Sequence, residues 1–221
     1  MGRGELAGAH VLVTAGPTRA PIDRVRYISN RSSGATGMAV AAALVEAGAA
    51  VHVVYGPGCA APPDGIDLIR VETPEEMRTA ALQVVDQHRV TAAVLAAAVL
   101  DFVPETLRDE KTPSGGDLVI RFVPTPKIVA DLVDAAPEMI TVGFKLEVRA
   151  DDGRLIARAR DLIDRHGLSA VLANDLSRIT ATEHPALLVT ADGAVRVNGK
   201  QAIARAIVAH LAEAISDSTG A

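Results

Sequence analysis

Aromatic residues and cysteine are scarce in this chain of 221 residues. It has three Phe, two Tyr and no Trp, so it lacks a row of rings on which nucleic-acid bases could stack. The single Cys59 excludes an internal disulfide and, lying in a Pro-rich loop without a nearby His, is interpreted as an incidental thiol. The six histidines are scattered without zinc-type spacing, and His52 is expected to be structural, so any metal site stays unknown.

An excess of positive charge is also missing. The net charge of -5 at pH 7 argues against nucleic acid or anionic membrane as general partners, which require clustered Lys and Arg. A hydrophobic content of 49% is ample for the core of a single domain over residues 1–221. Residues 1–8 are short, charged and not followed by an apolar segment of membrane length, so we expect no signal peptide and a cytoplasmic location.

Apolar runs and helical patterns alternate along the chain. Strands are predicted over 10–15, 51–55, 66–71, 91–100, 118–123, 139–146 and 170–173, with a hairpin of 187–190 and 194–197. Helices are predicted over 34–48, 73–88, 125–135, 153–166 and 200–215, and residues 102–117 are interpreted as a mobile flap. This alternation predicts an α/β fold with a doubly wound, Rossmann-like, mostly parallel sheet. Phe102, Phe122 and Phe144 are expected in its core.

An unusually long connection, TAGPTRAPIDRVRYISNRSSGATG over residues 14–37, separates the first strand from the first helix. Its cations and small polar residues are Arg19, Arg24, Arg26, Arg31, Asn30, Ser32 and Ser33. Gly34 and Gly37 permit backbone N–H groups to approach a ligand at a helix N-terminus. A solvated basic loop is the alternative, but four arginines with an SSGxxG ending favour an anion-binding site.

Polar residues also stand near the ends of other predicted elements, where doubly wound sheets bind ligands. Asp101 follows an apolar run and is either a solvated cap or a partner for a ribose hydroxyl, a base amino group or a metal. Lys145 interrupts an apolar strand, so a buried ammonium there would need an anion. Lys127 is expected in a first helical turn, where the macrodipole disfavours a cation by about 0.3 to 1 kcal/mol. Lys111, by spacing alone, is one more solvated charge.

Two common nucleotide motifs are absent. A dinucleotide fingerprint would place GxGxxG directly after the first strand, but Gly16 is followed by Pro17 and the pair Gly34 and Gly37 comes too late. No GxxxxGK[ST] loop occurs either. NAD and a P-loop are therefore disfavoured.

The chain resembles the phosphopantothenate–cysteine ligases (phosphopantothenoylcysteine synthetases) of coenzyme A biosynthesis over nearly its whole length. The long connection is similar to the family signature TAGPTxExID-x-VRxIxNxSSGxxG, and later segments resemble the family's AAAVxD, GFKL and AND segments. The TPK and GFKL spellings look more like the stand-alone bacterial ligases, and the eukaryotic ones, than like a domain fused to a decarboxylase. Ala20 and Arg24 depart from the signature, which leaves the acyl substrate open.

The resemblance implies roles for individual residues. Asn30 would hold an acyl-cytidylate, Arg26 would help to bind or orient it, and Lys111 would close on the triphosphate, which makes these three the catalytic candidates. The nucleotide-binding residues implied are Gly16, Ala97, Ala98, Asp101, Lys111, Lys127, Phe144 and Lys145. The substrate-binding residues implied are Arg26, Asn30, Arg31, Ser32, Ser33 and Gly34.

The resemblance also implies a reaction. In bacterial members the carboxylate of 4'-phosphopantothenate attacks CTP to give an acyl-cytidylate and pyrophosphate, and the amine of cysteine then displaces CMP. Lys, Arg and Mg²⁺ would neutralise the charge that gathers. A homodimer is expected, because part of the long connection belongs to the family's interface. A ligase for a different carboxylate, a nucleotide-sensing module without turnover, and ATP in place of CTP stay open.

Overall fold

The computed structural model describes residues 4–113, 115–180 and 182–219. The strands are β1 His10–Ala15, β2 Arg19–Pro21, β3 Tyr27–Ser29, β4 Ala50–Tyr55, β5 Ile66–Arg70, β6 Val90–Leu95, β7 Phe102–Pro104, β8 Phe122–Pro124, β9 Ile140–Glu147, β10 Ala170–Asp175, β11 Pro185–Val189 and β12 Ala194–Asn198. The helices are α1 Ala35–Glu46, α2 Pro74–Gln87, α3 Ile128–Ala135, α4 Asp152–His166 and α5 Lys200–Thr219, with a 3-10 turn at Leu176–Arg178. Ser114 of the predicted flap lies outside the described residues. So do residues 1–3 of the predicted domain and N-terminal segment.

Within this part of the chain, eight strands form one sheet in the order β12-β11-β10-β9-β6-β1-β4-β5. The strands from β10 to β5 are parallel, and β11 and β12 add an antiparallel hairpin at one edge. The chain leaves β1 through α1 for β4 on one side, and returns from β5 through α2 to β6 on the other. The strand order therefore reverses between β1 and β6, and ligands bind beyond the carboxyl ends of strands at such a point. The predicted doubly wound fold is confirmed.

Helices cover both faces of the sheet. On one face α1 and α5 pack against Val11 and Val13 of β1, and on the other α2 and α3 pack against Leu12 and Ala93. A third apolar cluster joins α4 to β10 and β11. Because the central strands are buried on both faces, they are continuous apolar runs without a polar alternation. No helix among the described residues is long and apolar enough to span a bilayer.

The start of α2 is the one predicted from the sequence. The Thr73 hydroxyl accepts from the Glu76 N–H at 3.1 Å, and the Glu76 carboxylate accepts from the Thr73 N–H at 3.3 Å. Pro74 occupies the first helical position, where its missing N–H has no helical partner to lose. The capping box is confirmed.

Three predicted boundaries are wrong. The strand predicted over 91–100 ends at Leu95, the last residue to pair with β9, because the next residues turn away while remaining apolar. The strand predicted over 118–123 is reduced to β8, and Val119 is 84% exposed because no layer covers it. The helix predicted from 125 begins at Ile128, so Lys127 is its N-cap and not part of its first turn.

Two short hairpins were not predicted. The long connection contains the antiparallel pair β2 and β3, and the predicted flap lies between β7 and β8, which pair with each other. Phe102 and Phe122 belong to the second pair and are 56% and 41% exposed, so their predicted place in the core is wrong. Phe144 is partly buried and packs against the main core, as expected.

Replacing Thr73 by Ala removes the hydroxyl that caps α2, so the free energy of unfolding should fall by about 1 kcal/mol. For a chain of this size that corresponds to a Tm lower by about 2–4 °C. Thr79→Ala is a matched control, because Thr79 is exposed inside the same helix and Ala is the better helix former. Calorimetry of both variants tests this; an equal loss in each would contradict the capping role.

Candidate active site

Two glycines bring the end of β1 close to the start of α1. Gly16 has a φ of 79°, and a Cβ built there would lie 2.9 Å from the Gly56 carbonyl oxygen. Gly34, the N-cap of α1, also has a φ of 79°, and its Cβ would lie 2.6 Å from the Tyr55 ring. No L side chain fits either place without strain. The first N–H groups of α1 therefore open beside the carboxyl end of β1.

Asn30 joins the hairpin to the backbone that follows β6. Its side-chain amide donates to the Ala98 and Val99 carbonyl oxygens, each at 3.0 Å. The Ala98 N–H in turn donates to the Gly16 carbonyl oxygen at 2.8 Å. Three predicted site residues, Gly16, Asn30 and Ala98, thus lie together, although Asn30 and Ala98 are 68 residues apart in the chain.

Threonine hydroxyls hold the rest of this backbone, residues 96–101. Thr18 is fully buried, and its hydroxyl accepts from the Leu100 N–H at 3.0 Å. The Thr125 hydroxyl donates to the Leu100 carbonyl oxygen at 2.7 Å, and Thr14 accepts from the Ala97 N–H at 3.4 Å. None of the three was assigned an individual role from the sequence, although Thr14 and Thr18 lie in the long connection interpreted as a ligand site.

A cleft of about 220 Å³ lies beyond β6, between the start of α3 and the end of α4. Predicted nucleotide-binding residues that line it are Ala97, Asp101, Lys127 and Phe144. The unpredicted residues Thr14, Thr125, Leu162 and His166 also line it. Its walls combine apolar side chains with a few polar groups, which is typical of small-molecule sites.

Lys127 already has an anionic partner in the protein. Its Nζ lies 2.5 Å from the Asp101 carboxylate, and the two side chains are 59% and 68% exposed. Asp101 therefore supplies, within the protein, the negative charge that a cation at this position calls for, and binding of a nucleotide by Lys127 stays a prediction. An exposed pair of this kind adds only about 0–1 kcal/mol to stability, so it can open for a ligand at little cost.

His166, the last residue of α4, brings an imidazole to the cleft. Burial lowers the pKa of His166, and the positive charges of Arg165 and Lys127 lower it further, against the opposing effect of Asp161. The ring is therefore neutral near pH 7 and can both donate and accept a hydrogen bond. Its place at a helix C-terminus gave no signal in the sequence.

Lys145 is not the buried ammonium inferred from the sequence. Its side chain is 37% exposed, and its Nζ lies 3.5 Å from a carboxylate oxygen of Glu147. The other oxygen of Glu147 accepts from Arg154 at 3.0 Å. The counter-charge that Lys145 requires is thus within the same strand, and binding of a nucleotide by Lys145 stays a prediction.

The flap is tied to the tip of the β2–β3 hairpin by a buried carboxylate, Asp23. One Asp23 oxygen accepts from the Val25 and Arg26 N–H groups at 2.9 and 2.8 Å, and the other accepts from the Thr112 N–H at 3.1 Å. The Arg26 guanidinium donates to the Thr112 carbonyl oxygen at 2.5 Å. Thr112 follows the exposed Lys111, so this junction fixes the chain on one side of that lysine.

Hydrogen bonds to its carboxylate decide the direction in which the pKa of Asp23 is shifted. The Val25 N–H holds the pKa of this carboxyl far below its usual range, burial acts in the opposite direction, and the Thr112 and Arg26 N–H groups lower it again. The sequence interpretation gave Asp23 no role, because a carboxylate in a turn predicts only a local cap.

Most of the loop's cations are engaged with protein groups. Arg19 stacks on Tyr27 at 4.3 Å and contacts Glu72, and Arg24 donates to the Asp109 carbonyl oxygen at 2.7 Å. With Arg26 at the flap, three of the four arginines have a structural partner, and anion binding by the loop stays a prediction. Arg31 is exposed at the start of α1.

The two serines before α1 act locally. The Ser32 hydroxyl accepts from the Gly34 N–H and the Ser33 hydroxyl from the Ala35 N–H, both at 3.3 Å. These long contacts hold the loop in position for the helix start, and they leave the hydroxyl hydrogens to donate to another group. Substrate binding by Arg31, Ser32, Ser33 and Gly34 stays a prediction.

Comparison with known proteins places the chain in a family. Residues 6–215 match the DNA/pantothenate metabolism flavoprotein C-terminal domain, DFP. The chain belongs to this family. A solved structure, the C-terminal domain of the coenzyme A biosynthesis bifunctional protein CoaBC, superposes with a TM-score of 0.82 at 27% identity, over 97% of this chain and 99% of that one.

Curated relatives of this DFP domain are longer proteins. The coenzyme A biosynthesis bifunctional protein CoaBC of Thermococcus kodakarensis is 39% identical over 192 residues, 87% of this chain and 47% of the relative. A cysteine/cysteine sulfinic acid decarboxylase from an unknown prokaryotic organism is 40% identical over 174 residues, 77% of this chain and 47% of the relative. The chain thus spans about half the length of the curated relatives it matches, and the expected stand-alone form stays a prediction.

The Asp23 junction makes stability depend on pH in a defined direction. The pKa of Asp23 is lower in the folded chain than the unfolded value of about 3.9, so its carboxylate stabilises the fold above that pH. This contribution is lost as the pH falls from about 5 towards the folded-state pKa. Asp23→Asn should therefore lower Tm clearly at pH 7 and progressively less as the pH approaches 3, at which about nine-tenths of unfolded-state carboxyls are protonated.

The matched control is Asp109→Asn. The Asp109 side chain is 88% exposed, and its partner among the described residues is Arg24, which is also exposed. Thermal unfolding of the parent and both variants between pH 3 and 7 gives the comparison. A Tm difference between parent and Asp23→Asn that stays constant with pH would contradict the role of the ionised carboxylate.

Proposed function

We propose that this chain is a ligase domain that joins the carboxylate of 4'-phosphopantothenate to the amine of cysteine, with CTP as the activating nucleotide. The observation that carries the proposal is the position of the Asn30 amide against the Ala98 and Val99 carbonyls, beside the cleft at the reversal of strand order. Both amide hydrogens are engaged there, so the Oδ1 of Asn30 is left to accept a hydrogen bond from a bound adduct, and an amide does not react with the adduct. Membership of the DFP family supports the same chemistry.

The proposed reaction has two balanced steps. A carboxylate oxygen attacks the α-phosphorus of CTP, the bond from that phosphorus to the β-phosphate oxygen breaks, and pyrophosphate leaves. The cysteine nitrogen then attacks the acyl carbon of the acyl-cytidylate, the bond from that carbon to the phosphate oxygen breaks, and CMP leaves as the nitrogen loses a proton. The first step brings together two negatively charged reactants, so the site must provide cations and N–H donors.

The residues around the cleft suit these demands. The apolar wall at Ala97 and Phe144 offers a place for the base, and Lys127 can turn from Asp101 towards phosphate. Lys111 projects from a flap that is anchored at Thr112 beside the hairpin carrying Asn30. A cation on a segment anchored at one end can approach the triphosphate after it binds, which is how closing loops complete a site.

The start of α1 suits the phosphate of the acyl substrate. Backbone N–H groups and the dipole of a helix N-terminus attract phosphate, and Arg31, Ser32 and Ser33 add a cation and two hydroxyls. We propose Arg26 as a positioning residue as well as a substrate contact, because it holds the Thr112 carbonyl. Gly16 serves by allowing close approach of the backbone.

Magnesium fits this arrangement through Asp101. Its exposed carboxylate is the kind of oxygen ligand that Mg²⁺ takes together with nucleotide phosphates, once Lys127 turns away. The ion, when bound, neutralises charge on the triphosphate. Lys145 lies on β9, the strand next to β6, and would add a cation at longer range.

A homodimer is part of the proposal. The hairpin exposes Val25 and Tyr27, at 60% and 48%, and the flap exposes Leu107 at 58%. Large apolar side chains grouped on one projecting unit mark interaction surfaces. Because the same unit carries Asn30 and leads to Lys111, a partner seated on it would border the site. A cytoplasmic location belongs to the same proposal.

The direct test is the release of pyrophosphate from CTP. We expect release that requires 4'-phosphopantothenate but not cysteine, because the adduct forms before the amine attacks. Asn30→Asp should lower the rate by about 100-fold or more, because a carboxylate cannot donate to the Ala98 and Val99 carbonyls that position the residue, and it repels the anionic adduct. Gln201→Glu, the same amide-to-acid change at an exposed position of α5, should leave the rate unchanged.

Other outcomes identify the alternatives. Release of pyrophosphate with ATP but not with CTP would identify ATP as the activating nucleotide. Release with a different carboxylate would indicate a specialised relative, as the departures at Ala20 and Arg24 allow. Tight binding of CTP without release for any carboxylate would indicate a nucleotide-sensing module. An unchanged rate of amide formation in Asn30→Asp would contradict the role of this residue.

Lys111→Gln should lower kcat strongly while leaving Tm nearly unchanged. Lys111 is exposed and contributes little to the core, whereas a flap cation would act on charge that develops in the triphosphate. Arg121→Gln is the matched control, since it removes another exposed cation next to the flap, one that pairs with Glu105. Steady-state kinetics and thermal unfolding of both variants separate the two effects. A kcat equal to that of the parent would exclude Lys111 from the site.

A further inference from the structure

Three histidines from separate elements meet on one face of the sheet, away from the proposed active site. His10 begins β1, His52 lies in β4, and His88 directly follows α2. In the β1–β4 register Leu12 lies opposite His52. His10, two residues before Leu12 on β1, therefore lies on the same face of the sheet as His52. That face is the one that α2 covers. The amino end of β1 is opposite to the end that borders the cleft.

The ring nitrogens of these histidines converge. His10 Nδ1 lies 3.1 Å from His52 Nε2, and one nitrogen from each of the three rings lies within 4.8 Å of the others. Two imidazole nitrogens of a tetrahedral zinc site, each about 2.0–2.1 Å from the metal, are about 3.3 Å apart. The first pair, which is hydrogen-bonded, has nearly this spacing. The three rings stack on one another with centroids 4.0, 5.4 and 5.9 Å apart, so binding of an ion requires them to turn until their lone pairs meet.

Asp67 supplies the support that a metal-binding histidine needs. It lies opposite His52 in the β4–β5 register, and its carboxylate is 3.2 Å from His52 Nδ1. With the proton on Nδ1 held by Asp67, Nε2 of His52 has a free lone pair and accepts from His10 Nδ1. Both nitrogens become ligands when the proton of His10 moves to its Nε2. A carboxylate behind a ligating imidazole fixes the tautomer and raises the basicity of the ligand.

His52 is the most enclosed of the three, at only 6% exposed, whereas His10 and His88 are half-buried. Among the described hydrogen bonds, the partner of its Nε2 is the His10 ring. Imidazole nitrogens gathered at one half-buried point are a ligand set that suits borderline divalent metals such as Zn²⁺.

We propose that His10, His52 and His88 form a site for a zinc-class divalent metal ion, with Asp67 as the supporting carboxylate of His52. Three imidazoles suit Zn²⁺, and the fourth position would take water or another ligand. The ion would join β1, β4 and the end of α2. It is separate from magnesium at the nucleotide cleft, which takes oxygen ligands. Sequence spacing could not reveal it, because its ligands come from three distant elements.

The test is a calorimetric titration of the full, chelator-treated chain with Zn²⁺ in the absence of nucleotide. We expect one ion per chain and a higher Tm in its presence, because a metal that binds only the folded chain stabilises it. Co²⁺ in its place should give visible absorption bands of a four-coordinate site. Asp67→Asn should weaken zinc binding about 10–100-fold, as outer-sphere partners do, and His88→Gln should weaken it further.

Two control variants make the result specific. His210→Gln changes a histidine outside the cluster, and Cys59→Ser removes the exposed thiol that could bind zinc adventitiously. Both should retain the parent affinity. Failure of the parent to bind zinc, unchanged affinity in His88→Gln, or loss of binding in Cys59→Ser would each overturn the proposal. Asp67 is exposed, so Asp67→Asn provides a folded test protein even where His88→Gln unfolds.

Discussion

The connection between the ends of β1 and β6 is the contact on which the rest of the site depends. Past Leu95 the backbone leaves β9, and its hydrogen bonds are taken over by Gly16, Thr18, Thr125 and the Asn30 side chain. Buried backbone groups without partners are costly, so this exchange is what allows the chain to depart from the sheet. The cleft exists because β9 continues beside β10 where β6 has turned away.

The hairpin and the flap form a second unit attached to that connection. Asp23 and Arg26 bind the flap at Thr112, and Asn30 binds the backbone after β6. Few of these contacts bury much apolar surface. They therefore fix the position of the hairpin and the flap more than they add to the free energy of unfolding. A unit fixed by a few polar contacts to a rigid sheet has the low local stability from which moving parts of active sites are drawn. The lysine that is proposed to act on the triphosphate lies in it.

The sequence predicted the sheet well and the loops poorly. Central strands such as β1 are buried on both faces, so their composition alone identifies them, and the capping box of Thr73 is a local signal. The end of β6 could not be predicted, because residues 96–100 stay apolar and largely shielded after they leave the ladder. Strand β8 was overestimated because alternation predicts a strand only where a layer covers one side.

The same distinction applies to the site. Asp101, Ala97 and Lys127 were found because they follow strands or begin a helix, and those ends meet at one edge of a parallel sheet. The counter-charges of Lys145 and Lys127 could not be identified from the sequence, because Glu147 and Asp101 become their partners only in the fold. His166 and Asp23 act through contacts with distant segments, for which a single sequence holds no signal.

The packing of α1 against α5 has a consequence for synthesis on the ribosome. The apolar face of α1 is covered by α5, and about 150 residues separate the end of one helix from the start of the other. At a translation rate of about 5–20 residues per second, α1 and its face of the sheet wait roughly 8–30 s for their cover. During this interval Met38, Val40 and Leu44 present an aggregation-prone surface. Truncation before α5 should therefore produce a chaperone substrate rather than a smaller folded domain.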